Sequence, residues 1–304
     1  MKETIEFYYG IRVENIYLDN DAYHFEYDGG EYYFVYCARN EKELVDLIEC
    51  SKELKTKSID CHDIILNNSG KVITLIDEVS YVLLRVRNKD EEYQITDIIQ
   101  MNKKTRLNDN QKKNYRNNWE ELWSKKIDYI ENQLQELHPD SLITNSIDYY
   151  IGLCENAISY LNNTTIKYAI SNLDNVTLAH RRLYYPNYKL NYLNPLSFIF
   201  DLEVRDIAEY IKNTFFKGEN AFLELQTYLK STRLTVYSYN MLFARLLYPS
   251  YYFDQYELII NKHVKQDGML KIIEQVDEYE QFLKKAYQEI SLYAPLENVT
   301  WLIK

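Results

Sequence analysis

The sequence predicts an α+β protein with two lobes, a β-rich N-terminal lobe and a mainly helical C-terminal lobe. Between residues 13 and 87, short aromatic and β-branched runs alternate with turn residues, as in antiparallel strands. From Trp119 onward, apolar residues recur at helical spacing. A chain of 304 residues is long enough for two such lobes. We place the small lobe at residues 1–97 and the large lobe at residues 98–304, with a polar hinge or loop at 98–118.

One helix interrupts the strands of the small lobe. The segment 40–55, NEKELVDLIECSKELK, has leucines on one face, acidic residues early and lysines late, which the helix dipole favours. Asn40 is the predicted N-cap. Before this helix, residues 28–30 (Asp-Gly-Gly) between two aromatic runs predict a β-hairpin. After it, residues 59–87 predict two or three further strands.

The large lobe is predicted to be a run of helices with one interruption. The predicted helices span residues 118–137, 147–161, 204–216, 222–229, 256–264 and 270–287. Residues 176–201 break the helical spacing with two prolines and short β-like runs. This stretch therefore predicts a loop with a small hairpin, set between helices.

Composition and charge exclude several classes of function. The formal net charge is -11, and no block of Lys and Arg is long enough to offset it locally, so we expect no nucleic-acid partner. No apolar run reaches the roughly 18 residues of a membrane span, and the N-terminus mixes charges, so we expect a cytoplasmic protein without a membrane partner. The 4 cysteines lack Cys-x-x-Cys spacing and indicate reduced thiols, not a zinc site or a disulfide framework.

Tyrosine is unusually abundant, with 31 residues against 7 glycines and 5 prolines. Drift in an AT-rich genome accounts for this, because Asn, Ile and Lys are also frequent. The alternative is a functional one: amphipathic tyrosine rings favour packing into a larger assembly. Purely monomeric behaviour at high concentration would contradict that alternative.

Three motifs follow one another in the large lobe. His180-Arg181-Arg182 is followed by Asn187, and the apolar strand FIFD ends in Asp201. The segment 204–211, VRDIAEYI, comes directly after this strand. Residues 244–257, ARLLYPSYYFDQYE, and the C-terminal APLENVTWLIK follow later in the chain.

In this order the motifs resemble the aminoglycoside-phosphotransferase-like branch of the protein-kinase fold, and within it the spore-coat-associated group of the CotS and YutH type. The resemblance implies a small antiparallel sheet lobe with one helix and a larger helical lobe. By the family's pattern, His180 and Arg182 stand in the catalytic loop, Asn187 and Asp201 at the metal positions, and Asp206 at a structural brace below the loop.

The resemblance also shows which catalytic groups are missing. The family has an aspartate as proton acceptor where this chain has Arg182, and a guanidinium has no acceptor for the hydroxyl proton. No Gly-x-Gly-x-x-Gly is present, and EYYFVYCAR, where the phosphate-anchoring lysine belongs, has no lysine. Glu43 and Glu49 on the next helix are then expected to be solvated charges. Asn187 and Asp201 would still suit Mg²⁺, although both also fit turn and strand-end roles.

The roles of Arg181 and Arg182 stay open at this point. They could pair with Asp201 and Asp206 and hold the loop closed, which we favour, or they could bind a phosphorylated or acidic ligand.

We expect a catalytically impaired, kinase-like protein with a role in sporulation or the spore coat. It would act through other proteins, including spore-coat components, in the mother-cell cytoplasm or in the coat, with no cofactor. The alternative is an active phosphotransferase that uses ATP and Mg²⁺ on a small molecule or a coat protein with a non-standard active site. Loose phosphoryl-transfer transition states leave room for that alternative, because they do not strictly require a base.

Overall fold

The computed structural model forms two compact units. It describes residues 1–19, 22–87, 93–107, 116, 118–136, 141–183, 192–262 and 264–303. Unit 1 combines residues 1–94 with residues 180–199, and unit 2 combines residues 95–179 with residues 200–304. Unit 1 therefore includes a stretch from the middle of the chain as well as the β-rich N-terminal region.

Unit 1 is built on an antiparallel sheet. Its strands are β1 (Tyr17–Asp19), β2 (Ala22–Tyr27), β3 (Gly30–Tyr36), β4 (Asp63–Ile65), β5 (Thr74–Ile76) and β6 (Val79–Arg85). Their order is β1-β2-β3-β6-β4, and β5 also pairs with β6. In the register Phe34 lies opposite Leu83, and both are fully buried, as is Phe25 on β2. Consecutive residues are buried on β3, from Tyr32 to Val35, and on β6, from Val82 to Leu84, so the middle of the sheet is covered on both faces.

The predicted hairpin and helix of this unit are confirmed. Asp28 and Gly29 connect β2 to β3 with φ angles of 47° and 66°, a left-handed pair that an Asp-Gly turn readily adopts. Helix α2 spans Glu41–Thr56, and the side chain of Asn40 accepts a hydrogen bond from the amide of Glu43. Its buried face carries Leu44, Leu47, Ser51 and Leu54. The Asn40 cap thus marks the start of α2, and the apolar stripe is the face that the helix buries.

An N-terminal helix was not predicted. Helix α1 spans Lys2–Tyr9 and ends at Gly10, which has a left-handed φ of 68°. Ile5 is its one buried residue, and it packs in the same core cluster as Phe25 and Phe34. With a single buried position the helix carries no periodic signal, so its sequence does not indicate it.

Unit 2 is mainly helical. Its helices are α3 (Ile95–Thr105), α4 (Trp119–Glu136), α5 (Ser141–Lys167), α6 (Val204–Lys217), α7 (Ala221–Ser231), α8 (Val236–Leu247), α9 (Ser250–Lys262), α10 (Asp267–Glu274), α11 (Val276–Ser291) and α12 (Thr300–Ile303). The described residues of all six predicted helical segments lie on these helices, apart from Asn118, Val264 and Gln275. The segment 270–287 is divided between α10 and α11, which meet at Gln275.

Three helices of unit 2 were not predicted: α3, α8 and the short α12. Residues 98–105, which we placed in the polar loop, belong to α3, where Ile95, Ile98 and Ile99 are buried. Helix α8 was missed because all of its residues from Ser238 to Leu247 are buried. A helix that is buried on every side has no polar face and therefore no amphipathic period.

The predicted hairpin within 176–201 is present. β7 (Val176–His180) and β8 (Phe198–Leu202) form a two-stranded sheet. A short 3₁₀ helix, Pro195–Ser197, leads into β8, and the side chain of Asn194 caps it by accepting from the amide of Leu196. In the described part of the chain, no helix has the combination of length and apolar character that crossing a bilayer requires.

Candidate functional site

His180 lies at the end of β7, where the candidate catalytic loop begins. Its ring is 1% exposed, at the end of β7, and its Nε2 lies 2.7 Å from the carbonyl oxygen of Tyr192. The ring also stacks on Tyr192 and meets Phe198 edge-on, with both centroid distances at 5.3 Å. The amide of Arg181 donates to the carbonyl of Ser197 over 2.7 Å. His180 thus holds together the two ends of the chain segment that leaves β7 and returns at Tyr192.

The predicted metal pair is described only in part. Asn187 lies outside the described residues, so its pairing with Asp201 stays a prediction. Arg182, which we predict to stand in the place of the family's proton acceptor, is half-buried. Within the described ranges, no group of three or more His, Cys, Asp or Glu side chains is arranged to hold a metal ion.

Asp201 lies in the interior of unit 2, with its carboxylate 0% exposed. Nε1 of Trp119 donates to both carboxylate oxygens over 3.0 Å. The amide of Leu202 donates to Oδ1 over 2.8 Å, and Nη1 of Arg205 donates to Oδ2 over 3.1 Å. Burial raises the pKa of Asp201, and the charge of Arg205 and the Trp119 hydrogen bond oppose this rise. Both oxygens of the carboxylate are therefore engaged by protein donors.

A second buried ionic group lies further along α6. Oε1 of Glu209 accepts from Nε of Arg245 over 2.6 Å and from Nζ of Lys212 over 2.9 Å. The hydroxyl of Ser250 donates to Oε2 of Glu209 over 2.7 Å. Burial alone would raise the pKa of Glu209, but Lys212 and Arg245 outweigh it and lower the pKa to about 2. Glu209 is thus held as a carboxylate by two cations and a hydroxyl.

Lys212 is 2% exposed, less than its neighbours Glu209 and Arg245. Besides Glu209, its Nζ donates to the carbonyl oxygens of Arg245 and Tyr248 and to the hydroxyl of Ser250, over 3.1, 3.0 and 2.6 Å. Burial lowers the pKa of Lys212 to about 8, against the attraction of Glu209. The ammonium therefore ties α6 to the turn between α8 and α9.

Aromatic rings enclose Arg245 in the same region. Its guanidinium carbon lies 5.2 Å from the ring centre of Trp119, 5.7 Å from that of Trp123 and 5.4 Å from that of Tyr248. Trp123 and Tyr248 stack on each other at 4.3 Å. We call Trp119, Asp201, Arg205, Glu209, Lys212, Arg245 and Ser250 the buried network. Since Trp119 bonds Asp201 and covers Arg245, it connects the two ionic groups.

Asp206 lies in the first turn of α6 and is 3% exposed. Its charge is close enough to Arg205 to oppose the pKa reduction that burial imposes on that arginine. A carboxylate at a helix N-terminus is also favoured by the helix dipole. Its predicted role as a brace for the catalytic loop stays a prediction.

In unit 1, Glu43 on α2 lies beside two arginines. Its Oε2 is 3.9 Å from Nη1 of Arg39 and 3.9 Å from Nη2 of Arg181, and its side chain is 45% exposed. Arg39 is buried, and it donates from Nε to the carbonyl of Leu196 over 2.9 Å and from Nη2 to that of Phe198 over 2.7 Å. Burial, followed by the charge of Arg181, lowers the pKa of Arg39 to about 10. Glu43 is therefore a partly paired charge, not the fully solvated one that we expected.

The family model described as "Spore coat putative kinase YutH" matches residues 2–286 of the chain. The chain belongs to this family. A curated relative, the "Endospore coat-associated protein YutH" of Bacillus subtilis (strain 168), is 32% identical over 208 residues. The matched region covers 61% of this chain and 61% of the relative, so it spans less than two thirds of that protein's length.

Solved structures with the same fold are phosphotransferases. An aminoglycoside phosphotransferase from Alicyclobacillus acidocaldarius superposes with a TM-score of 0.65 at 9% identity, over 96% of this chain and 97% of that one. An AMP-bound spectinomycin phosphotransferase gives 0.59 at 12% identity, over 94% and 96%. These matches confirm the predicted aminoglycoside-phosphotransferase-like fold. At such low identity they show the fold of the YutH-family chain and not its activity.

Sequence reasoning missed most of the buried network of this YutH-family chain. It singled out Asp201 as a metal ligand, and it noted the segments around α6 and 244–257 only as family signatures. The structure shows that Glu209 from the first segment and Arg245 from the second form one ion pair. A signal was present, since charged residues stand at otherwise buried positions in both segments, but the pairing itself depends on tertiary contacts.

The polar groups at the candidate site of the YutH-family chain make hydrogen bonds within their own units. A phosphotransferase needs carboxylate oxygens that face metal-bound phosphates and an acceptor for the hydroxyl proton. Asp201 instead accepts hydrogen bonds from three residues of its own unit. His180 is bonded to a loop carbonyl, and Arg39 to two carbonyls.

Proposed function

We propose that this chain is a non-catalytic, kinase-like protein that acts in sporulation, in the spore coat or its assembly, through contacts with other proteins. Membership of the YutH family and the name of the Bacillus subtilis relative, an endospore coat-associated protein, support the location. The relative is matched over part of its length only, so its location comes to this chain as part of the proposal.

The burial of Asp201 carries the proposal. A metal-binding aspartate must present oxygen lone pairs to an ion that also touches nucleotide phosphates. Here the carboxylate is 0% exposed, and Trp119, Leu202 and Arg205 donate to it. To bind Mg²⁺, it would have to give up the hydrogen bond to Arg205 and leave that buried guanidinium without its partner. Asp201 is better suited to holding α4, β8 and α6 together.

Changes elsewhere in the sequence agree with the loss of catalysis. Arg182 replaces the proton acceptor, and β3 has no lysine to anchor a nucleotide. In protein kinases that lysine pairs with a glutamate on the helix after the strand. On α2 of this chain, Glu43 lies near Arg39 and Arg181 instead. Three separate parts of the catalytic machinery are thus altered in the same chain.

Thermal unfolding with and without nucleotide tests the absence of catalysis. We expect no rise in Tm with ATP and Mg²⁺ at millimolar concentration, whereas a ligand at about 100 times its Kd would add about 2.7 kcal/mol of stability. A parallel assay should find no transfer of the ATP γ-phosphate to small hydroxyl compounds or to coat proteins. Transfer that depends on Mg²⁺ and is lost in Asp201→Asn, while that variant remains folded, would overturn the proposal.

Fractionation of spores tests the location and mode of action. A tagged chain expressed during sporulation should remain with the coat layer and be released only by treatments that solubilise coat proteins. Recovery of all of the tagged chain in the soluble mother-cell fraction would contradict a role in the coat.

A further inference from the structure

A cavity of about 260 Å³ lies in unit 2, between α3 and the C-terminal end of α7. Its lining residues do not include the candidate catalytic loop, although one of them, Glu203, directly follows β8. Its volume is slightly below the roughly 300 Å³ at which small-molecule sites begin, so it suits a small ligand. Lys103, Arg106, Glu203, Tyr228 and Arg233 are among its lining residues.

The lining carries three cations and one carboxylate. Lys103, Arg106 and Arg233 are exposed at the rim, and neither Lys103 nor Arg233 makes an ion pair with any residue in the described part of the chain. Arg106 lies 3.7 Å from the buried Glu203, whose other oxygen accepts from Asn175 over 2.6 Å. This leaves a local excess of positive charge in a protein whose net charge is -11. The rim of the cavity is therefore suited to an anion.

The cavity also contains a buried hydroxyl that lacks a partner. Tyr228 is 1% exposed, and its hydroxyl has no hydrogen-bond partner among the described residues. Burial raises the pKa of Tyr228 well above its ordinary value; Glu203 adds to the rise, and Arg106 opposes it. Tyr228, Glu203 and Arg106 all line the cavity. A buried polar group without a partner costs free energy, and a bound ligand would remove that cost.

We propose that this cavity binds the phosphate group of a small molecule. Lys103, Arg106 and Arg233 would neutralise the phosphate, and the Tyr228 hydroxyl would donate to one of its oxygens. Guanidinium groups bind phosphate oxygens in pairs, and lysine adds a point charge. Because α3 and α7 both supply lining residues, bound phosphate would also fix these two helices relative to each other.

Calorimetric titration of the whole chain tests the proposal. Inorganic phosphate and a hexose phosphate are titrated separately at constant ionic strength. Saturable binding of either one is expected, and tighter binding of the hexose phosphate would identify a phosphomonoester as the ligand. Tighter binding of inorganic phosphate would identify the free ion. No saturable binding of either probe would overturn the proposal.

Two double variants separate a specific site from general electrostatics. Lys103→Ala with Arg233→Ala removes two rim cations that have no ion-pair partner, and we expect phosphate affinity to fall by about tenfold or more. Lys104→Ala with Lys230→Ala removes the same charge from exposed positions on α3 and α7 that do not line the cavity. This control should bind phosphate within about twofold of wild type. An equal loss of affinity in both double variants would refute a specific site.

Tyr228→Phe tests whether the buried hydroxyl of Tyr228 takes part in phosphate binding. Removing a hydroxyl without a partner should leave Tm unchanged or raised, while phosphate binding weakens a few-fold. A fall in Tm with phosphate affinity unchanged would contradict the proposal, because it would show that the hydroxyl serves the fold and not the ligand.

Discussion

At the residue scale, the most consequential contacts are those of Asp201. An aspartate at the end of an apolar strand can face a metal site or the protein interior, and the neighbouring side chains decide which. Trp119 and Arg205 both direct donors at this carboxylate, and both are buried. These contacts stabilise the fold, because loss of the carboxylate would leave the buried Arg205 without a counterion.

Asp201→Asn should therefore destabilise the protein. The amide retains the size of the side chain but not its charge, so Arg205 stays buried without a counterion, at a cost of about 3–5 kcal/mol. Urea denaturation measures the loss, and Asp128→Asn, at an exposed position on α4, should change stability by less than about 0.5 kcal/mol. If Asp201 were instead a Mg²⁺ ligand, the variant would be nearly as stable as wild type without metal and would lose a Mg²⁺-dependent rise in Tm.

Glu209 should make stability depend on pH in the acid range. Its pKa is about 2 in the folded protein and 4.5 in the reference state. Its contribution to the free energy of unfolding is therefore fully present above about pH 4.5. This contribution, about 3 kcal/mol in total, is lost as the pH falls towards 2.

Urea denaturation across this pH range checks the prediction for Glu209. Glu209→Gln should be less stable at neutral pH and should show a flatter stability profile between pH 4.5 and 2. Glu278→Gln, an exposed carboxylate on α11, should retain the wild-type profile. A Glu209→Gln profile parallel to wild type would show that other groups cause the acid loss.

At the scale of elements, Arg39 connects the end of β3 to the segment that precedes and begins β8. It lies three residues after β3, and its guanidinium donates to the carbonyl oxygens of Leu196 and Phe198. These carbonyls belong to the 3₁₀ helix and to the first residue of β8. A residue from the N-terminal region thus fixes a mid-chain segment within the same unit. The nearby pair of Glu43 and Arg181 is half-exposed and longer, at 3.9 Å.

Arg39→Ala should cost much more stability than Arg181→Ala. Two charge-assisted hydrogen bonds to buried carbonyls predict a loss of about 2–3 kcal/mol for Arg39, whereas an exposed ion pair predicts less than about 1 kcal/mol for Arg181. Urea denaturation gives both values. Hydrogen exchange at residues 196–199 should accelerate in the first variant only. Equal effects in the two variants would show that the carbonyl contacts of Arg39 contribute little.

At the scale of the whole molecule, many of the described tyrosines are part of the interior. Five of the largest fully buried side chains are Tyr150, Tyr228, Tyr252, Tyr256 and Tyr279. Among the described tyrosines, those with the highest exposure are Tyr17 at 61% and Tyr36 at 59%. Many of the 31 tyrosines thus fill the position of ordinary core residues, which agrees with compositional drift more than with a sticky surface. The association hypothesis remains for the exposed ones.

Buried tyrosines should make the fold sensitive to alkali. Burial raises the pKa of Tyr9, Tyr252 and Tyr256 to about 12 from 10. Above pH 10 the unfolded chain releases these protons before the folded one, so stability should fall as pH rises from 10 to 12. Circular dichroism and the ultraviolet absorbance of tyrosinate should therefore change together in one cooperative transition.

A pair of tyrosine variants checks the alkaline prediction. Tyr252→Phe removes one buried phenol. Between pH 10 and 12 its free energy of unfolding should therefore fall less than that of wild type, by at most about 2–3 kcal/mol. Tyr36→Phe, at 59% exposure, should behave like wild type. Tyrosinate absorbance that rises fully while circular dichroism is unchanged would show that the buried phenols ionise in the folded state.

The sequence by itself determined the elements and the family. Strand alternation, the Asp28-Gly29 turn, the Asn40 cap and the amphipathic helices are local signals, because each depends on residues a few positions apart. The order of the motifs was enough to predict the fold, and the family match confirms it. The sequence alone also showed that residues 31–39 contain no lysine and that an arginine stands at position 182.

Only the tertiary structure decided what the charged residues do. The helical period of α8 is absent because the helix is buried all round. Trp119, which bonds Asp201, and Arg245, which bonds Glu209, come from helices far away in sequence. Local patterns report the face that a residue occupies but not the element that packs against it. The proposed role of Asp201 as an anchor, and the cavity beside Tyr228, therefore depend on contacts that no single segment encodes.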